Sequence, residues 1–383
     1  MPQEHVLMGV VYNRNGIATW SIEAARALLG SGAKVTLVTT SLEWLPNDLH
    51  PYSFCIGVSS NRNVWQKIRG RLHWWMQFFI ASPFNQKPFR QAYEQLEKDK
   101  CKPTLILVAQ TDFLWPGSPV PQWVVARSWP ISLTGYLGKM KLLKSQPWLP
   151  RLHDLVFWYR MDHKAYAAAT GVLTLTRRLA EDLAAQGYTA KKLFPCMGLP
   201  PKNGWVNRPV IPRLLSAAHD LGDKLKNMEW LMDCMGQLYT GGTPFELTLV
   251  GKLDGRLEKQ FRAMVPHVRF TGPLSRQALL QEMAVQDIFL FASLKENWGY
   301  VISEAMAMGM APVIPDIYPF DEIWPNPSLR FAPGDKGGLI GKIEALIGNP
   351  ALLYSEKQRA FQWYQQSFSP GQFSSAFFEA VNP

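Results

Sequence analysis

Two glutamates in one short segment are well suited to hold a polar ligand. Glu296 and Glu304 lie in "SLKENWGYVISEAMAMGMAPVI", residues 293–314, which is otherwise built of core-forming residues. A carboxylate accepts hydrogen bonds from paired hydroxyl groups, so two carboxylates can hold the two ends of a hydroxylated molecule. Eight residues of helix rise about 12 Å, which limits the separation of the two groups. The pattern predicts a site for one elongated ligand.

An anion site is expected between the two carboxylates. The strand pattern "DIFLFAS" ends just before Glu296, Gly299 opens a helix, and Gly309 is placed to end it. The backbone N–H groups of Asn297, Trp298 and Gly299 then lie at the helix N-terminus, which attracts anions. A nucleotide-diphosphate sugar fits this pattern, because its diphosphate lies between the ribose and the sugar.

The elements that must position these residues alternate along the chain. Short β-rich runs and helical patterns follow one another, as in parallel sheets whose strands are joined by crossover helices. The predicted strands are 5–12, 34–40, 103–110, 122–128, 171–176, 213–218, 245–251, 268–272, 287–293 and 311–316. The predicted helices include 17–30, 177–187, 225–239, 275–285 and 335–348, and Ser275 and Asp335 are suited to cap the last two. The fold class is therefore α/β.

A proline-rich break divides the chain into two lobes. The stretch "FPCMGLPPKNGWVNRPVIP", residues 194–212, interrupts any regular element. A chain of 383 residues is also too long for one ordinary hydrophobic core. We therefore predict one α/β domain at 1–200 and a second that begins at 201, with a ligand-binding cleft between them at the carboxyl ends of the strands.

The segment with the two glutamates resembles the Glu-x7-Glu motif of the retaining GT-B glycosyltransferases of family 4. Stretches in the order and spacing of that family cover about residues 213–350: "ELTLVGKLDG", "VRFTGPLSRQALLQEMAVQDIFLFAS", "ENWGYVISEAMAMGMAPVI" and "LRFAPGDKGGLIGKIEALIGNP". The resemblance implies two Rossmann-like lobes whose parallel sheets face each other across a cleft. It assigns the acceptor to 1–200 and the nucleotide sugar to 201–355, and it implies that 356–383 is a helical segment that packs back on the first lobe.

The resemblance also implies roles for single residues. Glu304 should hold the ribose of the donor, and Glu296 the sugar hydroxyls near the reacting carbon. In "LLSAAHDLGDKLKNMEWL", Lys226 matches the lysine that neutralises the leaving diphosphate, and His219 stands where an arginine is usual. A fixed cation is needed there, because bond cleavage leaves negative charge on the diphosphate. Lys224 is a candidate substitute for the arginine, or simply a solvated residue at a helix start.

The N-terminal stretch "VVYNRNGIATWSIEAARALLGSGAKVTLVTT" resembles the opening strand, glycine loop and helix of the same family. Gly16 would let the backbone approach a donor phosphate or the acceptor, although a simple tight turn is the alternative. Many family members carry a histidine after a later strand of this lobe. The matching stretch "VVARSWPIS" has Arg127 and Ser128 instead, and we interpret His153 as a structural residue.

Other features of the sequence exclude several classes of protein. It has no Asp-x-Asp pair at a strand end and no cluster with metal-ligand spacing, so we expect neither a catalytic metal nor a cofactor. It has no G-x-G-x-x-G after the first strand and no Walker lysine, which disfavours oxidoreductases and P-loop nucleotidases. The four scattered cysteines form no CxxC pair, which favours a reducing cytoplasm. No apolar run approaches the roughly 20 residues that span a bilayer.

The net charge of +10 is concentrated in one segment. Residues 62–90 mix arginine and lysine with tryptophan and phenylalanine, and they contain no acidic residue. This mixture suits the headgroup region of an anionic membrane on the inner face, and it is equally compatible with a solvated basic surface. We do not expect nucleic acid as a partner, because no nucleic-acid-binding motif accompanies the charge.

The sequence therefore predicts a retaining glycosyltransferase that moves a hexosyl or related sugar from a nucleotide-diphosphate sugar to a hydroxyl acceptor. The acceptor would be a glycan or a lipid-linked sugar, in polysaccharide, glycolipid or cell-envelope glycan synthesis. Two alternatives remain open. One is a non-catalytic nucleotide-sugar-binding protein, for which the missing arginine and histidine argue, together with the reduction of the family's usual glycine pair to Asn15 and Gly16. The other is a GT-B nucleotide-sugar epimerase, which needs no acceptor.

Overall fold

A computed structural model describes residues 4–9, 16–39, 42, 45–55, 87–109, 114–126, 162–199, 211–296 and 298–382. Two compact units make up the chain: Met1–Gly198 with Pro370–Pro383, and Leu199–Ser369. Some residues singled out from the sequence lie outside the described ranges, namely Asn297, Arg127, Ser128, His153 and residues 62–86 of the basic segment. None of the helices in the described part of the chain is both long and apolar enough to cross a membrane.

Each unit contains one sheet, and every strand pair that the structure describes is parallel. The strands of the first unit are β1 (His5–Gly9), β2 (Lys34–Thr39), β3 (Ser53–Cys55), β4 (Leu105–Val108), β5 (Gln122–Val125), β6 (Gly171–Thr174) and β7 (Ala190–Lys192). Those of the second are β8 (Arg213–Asp220), β9 (Glu246–Lys252), β10 (Arg269–Gly272), β11 (Ile288–Leu290), β12 (Ala311–Pro315) and β13 (Arg330–Phe331). The sheet orders are β3-β2-β1-β4-β5-β6-β7 and β10-β9-β8-β11-β12-β13. Both follow the Rossmann order 3-2-1-4-5-6, so the predicted fold class is confirmed.

The helices connect and cover these strands. They include α1 (Gly16–Gly30), α2 (Lys87–Lys98), α3 (Arg177–Ala184), α4 (Met228–Thr240), α5 (Gly255–Met264), α6 (Arg276–Met283), α7 (Tyr300–Ala307), α8 (Phe320–Ile323), α9 (Lys336–Gly348), α10 (Pro350–Ser367) and α11 (Pro370–Val381). The two predicted caps are confirmed. Ser275 Oγ accepts from the Ala278 N–H at 3.2 Å, and Asp335 Oδ1 accepts from the Gly338 N–H at 2.8 Å.

The core of the second unit explains why its strands read as continuous apolar runs. Helices lie on both faces of a parallel sheet, so the residues of its central strands are buried on either side. The buried strand residues include Leu214, Leu247, Leu249, Ile288, Leu290 and Val313, and α4 and α9 add Leu231, Met232, Met235, Leu339 and Ile343. Each fully buried side chain of this size contributes about 1.5–3 kcal/mol. This core holds the carboxyl ends of the strands in fixed positions.

The structure differs from the prediction that the whole of residues 356–383 packs back on the first lobe. Helix α10 is continuous from Pro350 to Ser367 and belongs to the second unit. The hydroxyl of Tyr364 donates to the Leu199 carbonyl at 3.1 Å and accepts from the Leu199 N–H at 3.3 Å, within that unit. Only α11 joins the first unit. There the hydroxyl of Ser374 lies 2.9 Å from the Ala27 carbonyl of α1 and 3.0 Å from the Pro370 carbonyl, and it can donate to one of them at a time.

Replacing Tyr364 with phenylalanine tests this anchor. The variant leaves both buried backbone groups of Leu199 without their side-chain partner, so we expect a loss of about 1–3 kcal/mol in the free energy of unfolding, measured by chemical denaturation. Tyr354→Phe is the control, because the Tyr354 hydroxyl accepts only from Gln358 of the same helix among the contacts described. The control should stay within about 0.5 kcal/mol of the parent protein. Equal losses in the two variants would contradict the assignment.

Candidate functional site

The predicted site residues of the second unit surround the point where the strand order of its sheet reverses. Strands β9 and β10 continue to one side of β8, and β11 to β13 continue to the other. Ligands of open parallel sheets bind outside the carboxyl ends of the strands at such a switch point. His219 lies near the carboxyl end of β8, Lys226 follows that strand, and Glu296 follows β11, which pairs directly with β8.

Lys226 and Glu296 form an ion pair across this switch point. Lys226 ends a short 3-10 turn, Lys224–Lys226, which is capped by the Asp223 carboxylate accepting from the Leu225 N–H at 2.9 Å. The side chains of Lys226 and Glu296 are 23% and 18% exposed, so the pair is shielded from bulk water and still reachable by a ligand. The structure thus brings together the two residues that the sequence suggested for catalysis.

Ser293 joins the two loops that carry this ion pair. Its hydroxyl is fully buried and lies 3.0 Å from the Leu225 carbonyl and 3.0 Å from Glu296 Oε1, and it can donate to one of them at a time. The Leu294 N–H also donates to the Leu225 carbonyl at 2.8 Å. The sequence analysis missed Ser293. Its signal was a serine at the end of an otherwise apolar strand pattern.

Helix α7 begins and ends where the glycines predicted. Gly299 is its N-cap with φ +86°, a left-handed conformation that favours glycine. At the other end the Gly309 N–H donates to the Met306 carbonyl at 2.9 Å and the Met310 N–H to the Ala305 carbonyl at 3.0 Å, which is a Schellman motif. Desolvation raises the pKa of Tyr300, the first residue of α7, above its ordinary value.

Trp298 contributes to the core with its side chain. It is 1% exposed, and its ring packs edge-on against Phe368 at 5.8 Å between centroids. Only its backbone N–H remains a candidate for an anion at the start of α7. The tryptophan side chain therefore fixes the position of the turn that precedes α7. The sequence had suggested a role for the backbone of Trp298 only.

Glu304 is buried and paired with arginine. Its side chain is 9% exposed, and Arg276 Nε donates to Glu304 Oε1 at 3.0 Å. Arg276 is the first residue of α6, the helix that Ser275 caps. A buried carboxylate without a partner cation would be costly, so this pair allows Glu304 to occupy an apolar helix. The sequence analysis missed Arg276, because the contact joins two helices separated by β11 and leaves no local pattern.

The remaining predicted residues are placed as follows. His219 is exposed within the last residues of β8, and Lys224 is exposed at the start of the 3-10 turn that ends at Lys226. Gly16 is the first residue of α1 in the first unit. The second unit therefore offers cations and helix N–H groups for an anion, with carboxylates beside them that can accept from hydroxyl groups.

The part of the chain that carries this site is similar to known glycosyltransferases. Residues 212–349 match the family described as Glycosyl transferases group 1, so the second unit contains a glycosyltransferase group 1 domain. The chain is 24% identical over 271 residues to 2-deoxystreptamine glucosyltransferase from Streptomyces kanamyceticus, covering 62% of this chain and 67% of that protein. It is 29% identical over 143 residues to phosphatidyl-myo-inositol mannosyltransferase from Mycolicibacterium smegmatis, covering 35% of this chain and only 34% of that protein.

A solved structure resembles the chain over its whole length. The crystal structure of Anabaena HepE in complex with UDP and glucose has a TM-score of 0.62 at 14% identity and covers 99% of both chains. At this level of identity the likeness shows the fold. The structural neighbours of its two Rossmann-like domains include glycosyltransferases with the GT-B fold.

Gly299→Ala tests the turn that precedes α7. An added Cβ would lie 3.2 Å from Ile302 Cδ1 and 3.3 Å from Phe320 Cε1, both on buried side chains, in addition to the cost of a positive φ. Gly334→Ala is the matched control, because Gly334 has φ +83° and nothing within 4 Å of the added Cβ. We expect denaturation to show about 1 kcal/mol of destabilisation for the control and at least about 1 kcal/mol more for Gly299→Ala. Equal effects would contradict the close packing at Gly299.

Proposed function

We propose that this chain is a retaining glycosyltransferase of family 4 that transfers a hexosyl or related sugar from a nucleotide-diphosphate sugar to a hydroxyl group. The observation that supports this most strongly is the Lys226–Glu296 ion pair at the switch point of a glycosyltransferase group 1 domain. The relatives named as glucosyl- and mannosyltransferases support the reaction class. The likeness to a protein crystallised with UDP and glucose supports a nucleotide sugar as the donor.

The donor would extend along the start of α7. Glu304 would accept from the ribose hydroxyls, and Glu296 from hydroxyls of the transferred sugar. The N–H groups of Asn297, Trp298 and Gly299 would meet the diphosphate between them. His219 and Lys224 are further candidates for contacts to the phosphates. Gly16 would approach a phosphate or the acceptor from the first unit.

In the proposed reaction the acceptor hydroxyl attacks the anomeric carbon from the face that the diphosphate leaves. The bond from the anomeric carbon to the diphosphate oxygen breaks, the bond to the acceptor oxygen forms, and the acceptor proton passes to the departing phosphate. The configuration at the anomeric carbon is thereby retained. Positive charge develops on the sugar and negative charge on the leaving group, so Lys226 acts most strongly in the transition state. We propose that no metal ion is required, and turnover should be unchanged by a chelator.

We propose that Lys226 changes partners when the donor binds. In the structure its ammonium is paired with Glu296. A diphosphate carries more negative charge than one carboxylate and is the stronger partner for a partly shielded lysine. Glu296 is then released to accept from sugar hydroxyls. The ion pair would therefore keep both side chains close to the groups of the donor that they contact.

Substitution of the two partners should separate their roles. Lys226→Met removes the cation, so we expect it to weaken the binding of free UDP and to lower kcat by about 10²-fold to 10³-fold. Glu296→Gln removes a negative charge close to the diphosphate, so free UDP should bind as well or better, while kcat with the sugar donor falls by at least about 10²-fold. Calorimetry with UDP and steady-state kinetics measure the two effects. If Glu296→Gln weakened UDP binding as much as Lys226→Met does, this separation of the two roles would be contradicted.

A thermal-shift screen of UDP-, GDP- and ADP-sugars identifies the donor. A ligand present at 100 times its Kd adds about 2.7 kcal/mol of stability. We expect one nucleotide class to stabilise the protein and Glu304→Ala to lose most of that shift. Incubation of the same donor without acceptor should release sugar slowly and should not yield its epimer. A stabilising donor that never turns over, or one that is converted into its epimer, would contradict transferase activity.

We also propose that the protein works in the cytoplasm, on a glycan or lipid-linked acceptor at an anionic membrane surface. The tryptophan-rich basic segment 62–90 supports this, as does the similarity to a phosphatidyl-myo-inositol mannosyltransferase. In liposome flotation at low salt, more protein should float with anionic than with neutral vesicles, and high salt should abolish the difference. Equal recovery with both vesicles would remove the membrane part of the proposal.

A further inference from the structure

The Arg276–Glu304 pair joins the glutamate proposed for ribose binding to a separate helix. Arg276 Nε lies 3.0 Å from Glu304 Oε1. The glutamate is 9% exposed and the arginine 33%, so the arginine covers the carboxylate and retains an edge toward solvent. Neither residue of this pair takes part in the Lys226–Glu296 contact. The pair is thus a second charged centre, on α7 itself, whereas Glu296 precedes that helix.

The surroundings of Glu304 explain why it needs a fixed partner. Ser303, Ala305, Met306 and Ala307 of α7 are all fully buried. In such surroundings a carboxylate is costly to bury unless a cation or other donors compensate it. A carboxylate has about four lone-pair positions, so a contact from Nε to one oxygen is compatible with hydrogen bonds from ligand hydroxyls as well. The guanidinium therefore sets the orientation of the carboxylate without excluding a ligand.

We infer that Arg276 is a positioning residue for ribose recognition. It acts by orienting Glu304 toward the two ribose hydroxyls of a nucleoside diphosphate. The inference rests on the proposed function and adds a residue outside the Glu-x7-Glu segment. Arg276 need not contact the nucleotide for this role. Its removal would take away one contact that directs the Glu304 carboxylate, which selectively weakens the ligand contacts that depend on the direction of its oxygens.

Helix α6, which carries Arg276, also offers a matched control. Arg269 of β10 pairs with Glu282 near the end of α6, and it also donates to Thr248 Oγ1 at 3.1 Å. This is again an arginine paired with a shielded glutamate, since the Glu282 side chain is 16% exposed. Glu282 lies at the opposite end of α6 from Arg276. A substitution of Arg269 therefore reports the general cost of losing such a pair on this helix.

The experiment compares binding of UDP, GDP and ADP with their 2′,3′-dideoxy forms by calorimetry. The quantity of interest is the ratio of the two affinities within one variant, because a general loss of stability affects both forms alike. We expect the parent protein to favour one ribonucleotide, and Arg276→Leu and Glu304→Gln each to reduce that preference by about tenfold or more. Arg276→Lys should restore part of it, and Arg269→Leu should leave it unchanged. Arg276→Gln keeps a polar side chain and replaces the leucine variant if that does not fold.

The outcomes separate this inference from the proposed function. A preference that survives in Arg276→Leu or Arg276→Gln, but is lost in Glu304→Gln, overturns the role of Arg276 and leaves the proposed function intact. A loss of preference in Arg269→Leu equal to that in Arg276→Leu also overturns it, since the effect is then a general one. A parent protein that binds none of the three ribonucleotides overturns the proposed function, and the role of Arg276 with it.

Discussion

An ion pair between Lys226 and Glu296 is the interaction on which the site of the second unit depends. The two residues are far apart in sequence, and they meet because β8 and β11 are neighbours in a parallel sheet whose order reverses between them. An ion pair of this kind adds little stability if it is fully exposed, and it carries a large desolvation penalty if it is fully buried. Its partial shielding lies between these limits. It can stay formed in water and still exchange one partner for an anionic ligand.

The surrounding elements hold the two loops of the ion pair at a fixed separation. Ser293 links both loops through one buried hydroxyl, and Trp298 fixes the next turn by packing into the core. Gly299 then reverses the backbone into α7, whose length is set by the motif at Gly309. These are contacts of a rigid scaffold, which reduces the loss of conformational entropy when a ligand binds.

The parts that could be predicted from the sequence are those with local causes. Apolar runs between turn residues marked the central strands, and Gly299, Gly309 and the caps Ser275 and Asp335 marked helix ends, because each acts within a few residues of itself. The edge strands β3, β7 and β13 are too short to leave a pattern. Ser293 and Arg276 were missed for a different reason. Their partners are brought close only by the sheet and by helix packing, and no spacing in the chain encodes that.

The most direct test of the central claim is a crystal structure with a non-hydrolysable phosphonate analogue of the nucleotide sugar that stabilises the protein. We expect the phosphonate to lie within hydrogen-bond distance of the Lys226 ammonium, with the Lys226–Glu296 contact opened and the Glu296 carboxylate on sugar hydroxyls. The ribose should lie on Glu304. An analogue bound elsewhere, with the Lys226–Glu296 pair still closed, would contradict the account.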